Sequence, residues 1–436
     1  MTFQDDYSYE YNFERFYGAY ILDLRKEYEI SQKELAKILH ISNSTLSKME
    51  SGQQNMDLEI FNFAIQYFEM HDRHYRFNKE ISKLKEAEEW VNRCVREFID
   101  LTYESKLYEF KRYLENENNK HSFAYFHYRL VYSFYHLFLG KGSMKEVQHL
   151  IESQYFINDY YLAILHDLWG IIEDTSDPNM IRKQIRALQK ASSLAQHIRR
   201  KDLSGLIEYH LIYRYGDIGQ FLDALDLINQ CIENLQQAGA YRRILTVQMN
   251  EGILYRNLNL YSKAIKVYQN IINNYSQIKD PIIQKEIFDN LAWCEFMQQN
   301  DEEAIAFALK GLSMGSLFPD LYIILAFSNY RLKNYEQAKR FAREFIHKKK
   351  IEDSQKRSYF VKLFLKLLLS ILDGEPDITN LSSQILSMLP QYHAVELEIP
   401  LYCLLIDHYQ KQNDFQAVIQ YQNFLIQYLL HDFSIH

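Results

Sequence analysis

Asn43, Ser44, Thr45, Ser47 and Lys48 crowd together near the N-terminus, with Gln32 a short way upstream. Amide and hydroxyl side chains carry donors and acceptors side by side, and that chemistry matches the base edges exposed in a DNA major groove. Lys48 and Gln32 suit a phosphate or a flanking base, contacts that fix position without reading sequence. Leu46 and Met49, at helical spacing, turn the polar set outward if they point into a core. A second polar set lies far along the chain. Asn250 and Asn290 stand 40 residues apart, each fourteen before an alanine (Ala264, Ala304), and His210 holds the same place before Ala224. A row of asparagines can hold the main chain of an extended peptide without demanding its sequence. Arg214 and Arg256 could meet a carboxylate, while Tyr209, Tyr213, Trp293 and Phe296 could form side-chain pockets. Each of these also has a structural reading, because such asparagines bond neighbouring loops and aromatics fill cores.

Two capped helices would position the first set. Phe16 to Glu27 carries Ala19, Ile21, Leu22 and Leu24 at helical spacing. Ser31 with Glu34 three residues later forms a capping box for the next helix, whose buried side is Leu35, Ile38 and Leu39. The chain turns through His40 and Ile41, and Ser42 caps a third helix. A hairpin used only for packing would explain this periodicity but not the polar face of the third helix.

The stretch from about residue 16 to 70 resembles the Cro/repressor, or XRE-type, helix-turn-helix family. The resemblance is carried by Leu24-Arg25, Ser31-Gln32-x-Glu34-Leu35-Ala36, Ile41-Ser42 and Leu46-Ser47-x-Met49-Glu50-x-Gly52. It implies a structural ion pair between Arg25 and Glu50. Family members commonly place glycine where His40 stands, so a left-handed turn there would carry some backbone cost.

The whole chain has 436 residues, 47% of them hydrophobic, with only 13 Gly and 6 Pro, so helix is favoured nearly throughout. Its net charge of −8 excludes a protein that coats nucleic acid by charge alone, though not one with a small DNA-reading head. That head is itself balanced: Arg25, Lys26, Lys33, Lys37 and Lys48 face Asp23, Glu27, Glu29, Glu34 and Glu50. Affinity must then come from a few placed contacts doubled by dimerisation. Cys94, Cys231, Cys294 and Cys403 are widely spaced, which predicts reduced, mostly buried thiols and no metal cluster. No charged leader precedes an apolar run at the N-terminus, and Phe360 to Leu372 is too short to span a bilayer, so a cytoplasmic protein is expected. No glycine-rich phosphate loop, metal triad or nucleophile with its base stands out, so neither catalysis nor a cofactor is expected.

Residues 71–120 read as a charged helical linker, in which Arg73, Arg76 and Lys79 could touch DNA backbone or simply line a solvated face. From 121 to 436 a weak pattern recurs around Ala224, Ala264, Ala304 and Ala338, at intervals of 40, 40 and 34, with a last candidate at Ala417. It resembles tetratricopeptide repeats, most closely where Gly252, Tyr255, Ala264 and Tyr268 fall. The expected fold class is all-α: a helix-turn-helix domain over residues 1–70 followed by a right-handed tetratricopeptide-like α-solenoid.

An XRE-type head followed by such a body resembles the RRNPP group of Gram-positive cytosolic peptide-pheromone receptors, represented by Rgg, NprR, PlcR and PrgX. The resemblance implies a homodimeric transcription regulator that binds double-stranded promoter DNA and a short signalling peptide, with no membrane partner. The C-terminal helices around Leu401 to Leu430 are candidates for the dimer surface. Two other readings stay open: a Rap-like protein acting on another regulatory protein, and a peptide-independent helical scaffold.

Overall fold

The computed structural model describes residues 13–68, 86, 88–96, 104–116, 123–138, 143–152, 159–172, 179–274, 281–347, 356–375, 378–389 and 395–433. Arg73, Arg76 and Lys79 lie outside the described residues. Every described element is helical.

The head consists of α1 (Phe13–Glu27), α2 (Gln32–Ile38), α3 (Asn43–Glu50) and α4 (Leu58–Tyr67). Its caps form as their residue types dictate. Ser31 Oγ accepts from Glu34 N at 3.2 Å, Ser42 Oγ from Thr45 N at 2.9 Å, and Asp57 Oδ1 from Glu59 N at 2.8 Å. Ile21, Leu24, Leu35, Leu46, Met56 and Ile65 are fully buried beneath these helices. α1 crosses α3 so closely that a Cβ at Gly18 would collide with the Met49 carbonyl. His40 does adopt the left-handed conformation, with φ 55°, and its ring stacks on Phe63 at 6.2 Å.

The chain divides into two compact units, Met1–Leu254 and Tyr255–His436. The first holds the head and then α5 (88–96), α6 (Glu104–Glu115), α7 (Phe123–Phe138), α8 (Met144–Glu152), α9 (Asp159–Ile171), α10 (Met180–Ile198), α11 (Lys201–Asp217) and α12 (Phe221–Gln237). α13 (Tyr241–Asn257) begins in the first unit. The second holds α14 (Tyr261–Asn274), α15 (Pro281–Met297), α16 (Asp301–Ser313), α17 (Asp320–Arg331), α18 (Tyr335–Ile346), α19 (Lys356–Asp373), α20 (Thr379–Met388), α21 (Glu398–Lys411) and α22 (Phe415–Phe433).

One turn recurs and sets the repeat. Gly219, Asn259, Gln299, Lys333 and Asn413 all have positive φ, between 58° and 77°. The residue after each donates its N–H to a carbonyl five positions back: Gln220 to Tyr215, Leu260 to Tyr255, Asn300 to Glu295, Asn334 to Asn329 and Asp414 to Tyr409, at 2.8–3.0 Å. This is the left-handed helix stop that satisfies the final carbonyls and re-aims the chain. Five residues past each positive φ come Ala224, Ala264, Ala304 and Ala338, all fully buried, and then Val418. The alanine intervals are thus the intervals of the turn. In the last repeat the equivalent position is Val418 and not Ala417, which is only half-buried.

Cys94, Cys231 and Cys294 are buried free thiols, whereas Cys403 is exposed. Among the described residues no helix is long and apolar enough to cross a membrane.

Candidate functional site

In the head, the Glu50 side chain is 3% exposed and its carboxylate takes three donors. Arg25 grips it with Nε at 2.7 Å and Nη2 at 2.9 Å, and Gln32 Nε2 donates to Oε2 at 2.7 Å. Arg25 Nη1 also donates to the Ile30 carbonyl at 3.0 Å. A buried carboxylate is costly unless paired and fully bonded, and here the bonding ties the end of α3 to both α1 and α2. Asn43, Ser44, Ser47 and Lys48 stand exposed on α3. Thr45 is half-buried, its Oγ1 lying 2.7 Å from Ser42 Oγ in the cap. The Gln32 amide group is thus drawn into bracing α3, a role its position in the sequence did not suggest.

In the first unit, His210 Nδ1 lies 2.7 Å from Oδ1 of the fully buried Asp167. Arg214 is buried, donating from Nε to the Gly170 carbonyl at 3.0 Å and from Nη1 to Asp217 at 2.9 Å. Tyr209 shares a hydrogen bond with Asn250, and burial pushes its phenol up to about 12. Asn250 Nδ2 has no protein partner. Tyr213 is exposed, with the Arg214 guanidinium 5.5 Å from its ring centre.

In the second unit, Arg256 Nη1 donates to Asn290 Oδ1 at 2.7 Å, and Asn290 Nδ2 donates to the Glu286 carbonyl at 2.8 Å. Trp293 is buried in the core beside Phe296. The places equivalent to Asn290 in the later repeats are Ile324 and Leu404, both core residues, so the polar row does not continue past Asn290.

The second unit also encloses a cavity of about 1040 Å³. One wall is a single face of the chain through α21: Glu396, Ile399, Pro400, Cys403, Leu404, Asp407 and Lys411. Opposite stand the repeat turns, through Leu260, Gln299 and Lys333, and the helix ends bearing Phe296, Phe327, Tyr330 and Arg331. Tyr428 and Leu429 of α22 complete it. Arg331 is held by Asp301 at 2.6 Å and by the Phe296 carbonyl at 2.9 Å, and its guanidinium lies over the Phe296 ring at 4.5 Å. Burial raises the Glu396 carboxyl although Arg357 and Arg256 oppose the shift. Burial would also raise Asp407, but the Tyr330 hydroxyl and Lys411, whose Nζ is 2.9 Å away, outweigh it and hold the carboxyl below its usual range. One end of the wall therefore carries a carboxyl, and the other carries Lys411 near the exposed Lys333.

Residues 21–62 match the family model described as helix-turn-helix, and residues 246–277 match that of the tetratricopeptide repeat. The chain is a helix-turn-helix head on a tetratricopeptide-type helical body. Its fold is similar to the apo form of the quorum sensor NprR from B. thuringiensis, at 17% identity and a TM-score of 0.59, over 80% of this chain and 99% of that one. It is likewise similar to the apo form of RapI, at 13% identity and a TM-score of 0.58, over 82% of this chain and 97% of that one. A comparison with curated proteins by sequence finds no match.

The tetratricopeptide match spans Gly252, Tyr255, Ala264 and Tyr268, the residues that carry that resemblance in the sequence. The cavity wall of α21 was not legible there. Its residues alternate charge and apolar character much as a surface helix does, and only Phe296 stood out beforehand as a pocket residue.

Proposed function

We propose that this protein is a DNA-binding transcription regulator controlled by a short linear peptide, and that the cavity of the second unit takes the peptide. The observation that carries the reading is the cavity's length and polarity. At about 1.5 Å per residue, the wall from Glu396 to Lys411 is about 22 Å long, the reach of about six or seven residues of extended chain. Its middle is apolar and aromatic, and its ends are of opposite charge. An extended peptide fits with its amino end toward Glu396 and its carboxylate toward Lys333 and Lys411. Arg256 acts from beside the acidic end, with Asn290 holding its guanidinium. Tyr209, His210, Tyr213, Arg214 and Asn250 lie in the other unit, and Trp293 serves as core behind the site.

The head supplies the output. Asn43, Ser44 and Ser47 read base edges, Lys48 meets phosphate, and Thr45 and Gln32 hold the reading helix in place. A balanced head binds tightly only when doubled, and α22 offers the surface for doubling. Phe415, Ile419, Ile426 and Leu429 are 65, 58, 53 and 41% exposed and fall on one side of that helix. A second copy covering this stripe makes the homodimer.

The test uses Cys403, the exposed thiol in the cavity wall. The full chain is equilibrated with a pool of free peptides of five to nine residues, and retained peptides are identified by mass spectrometry. Retained peptides should slow maleimide labelling of Cys403 and should lose affinity when their C-terminus is amidated. If no retained peptide protects Cys403, the cavity is not the peptide site.

A further inference from the structure

Helix α5, the first described segment after the head, is fastened to the first unit by specific polar contacts. Asn92 Oδ1 accepts from Tyr160 OH at 2.6 Å and from Arg200 Nη1 at 3.0 Å, with the Arg200 guanidinium lying over the Tyr160 ring at 4.5 Å. The Cys94 carbonyl accepts from Arg243 Nη2 of α13 at 2.8 Å. Val91, Cys94 and Val95 supply the apolar side of the contact.

Arg243 links α5 to a larger polar floor. It is buried, and burial lowers its pKa against the pull of Tyr209 and Asp167, both close enough to oppose the shift. Asp167 is bonded to His210, and Tyr209 to Asn250. One run of contacts therefore leads from the Cys94 carbonyl through Arg243 to α9, α11 and α13. The floor is not a finished core. Asp167 Oδ2, Arg214 Nη2, Gln248 Oε1 and Asn250 Nδ2 are buried without protein partners. Such groups oppose burial, so a cover resting on this floor is held less firmly than one on close-packed apolar residues. A short helix fastened by a few hydrogen bonds and a narrow apolar strip belongs to the low end of local stability.

We propose that α5 is a reversible strap. Docked, it ties the chain that follows the head to α9, α11 and α13 through Asn92 and the Cys94 carbonyl. It undocks as a unit while those helices stay folded, and the head is then free to take other spacings. The docking itself stands on the contacts above, whereas its effect on the head rests on the DNA-reading proposal.

The test is residue-resolved maleimide labelling of the full chain, followed by mass spectrometry. Cys94 reports the strap, and Cys231, buried in α12 of the same unit with its Sγ 3.3 Å from the Gly205 carbonyl, reports whether the unit itself opens. Asn92→Ala should speed Cys94 labelling by about ten-fold, the population change expected from losing one or two buried hydrogen bonds, with Cys231 unchanged. Tyr160→Phe, which removes only one donor, should give a smaller increase in the same direction. Asn92→Ala should also broaden the half-site spacings recovered by DNA selection. Equal labelling of Cys94 in all three proteins, or Cys94 and Cys231 rising together, would overturn the strap. Faster Cys94 labelling with unchanged spacing would overturn its control of the head. If none of the proteins selects DNA, the regulator reading fails, and the labelling still decides whether α5 undocks.

Discussion

Gln32 Nε2 lies 2.7 Å from Glu50 Oε2, on the carboxylate that Arg25 grips from α1. The reading helix is thus clamped at its C-terminal end by donors from both helices that precede it, while its N-terminal face stays exposed. Position is fixed at one end so that chemistry can be presented at the other. Removing Gln32 by alanine substitution should cost the head about 1.5 kcal/mol, the worth of a hydrogen bond to a charged group. Arg25→Ala, which leaves the buried carboxylate with Gln32 alone, should cost about 3 kcal/mol or more. Denaturant melts of the full chain followed at head residues check the order of the two.

The exposed residues of α3 behave differently. Asn43→Ala with Ser44→Ala should change stability by no more than about 0.5 kcal/mol, since neither side chain is buried or supplies a cap bond. The same pair should relax base preference at the positions they contact. Thr45→Ala should disturb both properties, because its hydroxyl touches the Ser42 cap.

Peptide polarity in the cavity can be tested by a double-mutant cycle. Lys411→Ala should weaken a peptide with a free carboxylate by about ten-fold and leave its C-terminally amidated form unchanged, because the lost charge pair is then already absent. Calorimetry of the four combinations measures the coupling. Equal losses for both peptide forms would reverse or abolish the proposed orientation.

Acid should weaken the first unit through His166. Burial, helped by the Lys190 charge, lowers this imidazole from 6.5 to about 4. The folded unit holds the neutral ring, so the unfolded chain takes up the extra proton between those values. Its contribution is complete above pH 6.5 and is lost on acidification toward pH 4, with a magnitude of order 2 kcal/mol. His166→Gln should flatten that part of the stability profile.

The repeat position after Asn413 is tested by two neighbouring substitutions. Val418→Asp places a charge at the buried position equivalent to Ala338 and should cost at least about 3 kcal/mol, whereas Ala417→Glu, half-exposed, should cost under about 1 kcal/mol. Thermal melts of the two variants separate the alternatives.

The head was legible in the sequence because its signals are local. Ser31, Glu34 and Ser42 announce helix starts by their own hydrogen bonds, and Leu35, Leu46 and Met49 mark the buried side by spacing. The buried alanines were legible for a similar reason, since each follows its turn by a fixed interval. Ala417 misled because it lies one residue from the true position, and a branched residue fills that place in the last repeat. The second polar set was less legible. Sequence spacing gave Asn250 and Asn290 the same place in their repeats, but spacing does not show that Asn290 is turned toward Arg256 or that Asp167 waits for His210. The cavity depends on packing between α21 and repeat turns more than a hundred residues away, and no local pattern encodes that.

The central claim is that a ligand-responsive body controls a DNA-reading head. It is tested most directly by selecting bound sequences from a random double-stranded DNA pool with the full chain at fixed salt, alongside the Asn43→Ala, Ser44→Ala variant, with and without a peptide that protects Cys403. The account predicts enrichment of paired half-sites by the unaltered protein, altered base preference in the variant, and a change in half-site spacing or enrichment when peptide is present. Recovery of the same sequences by both proteins, indifferent to peptide, would contradict it.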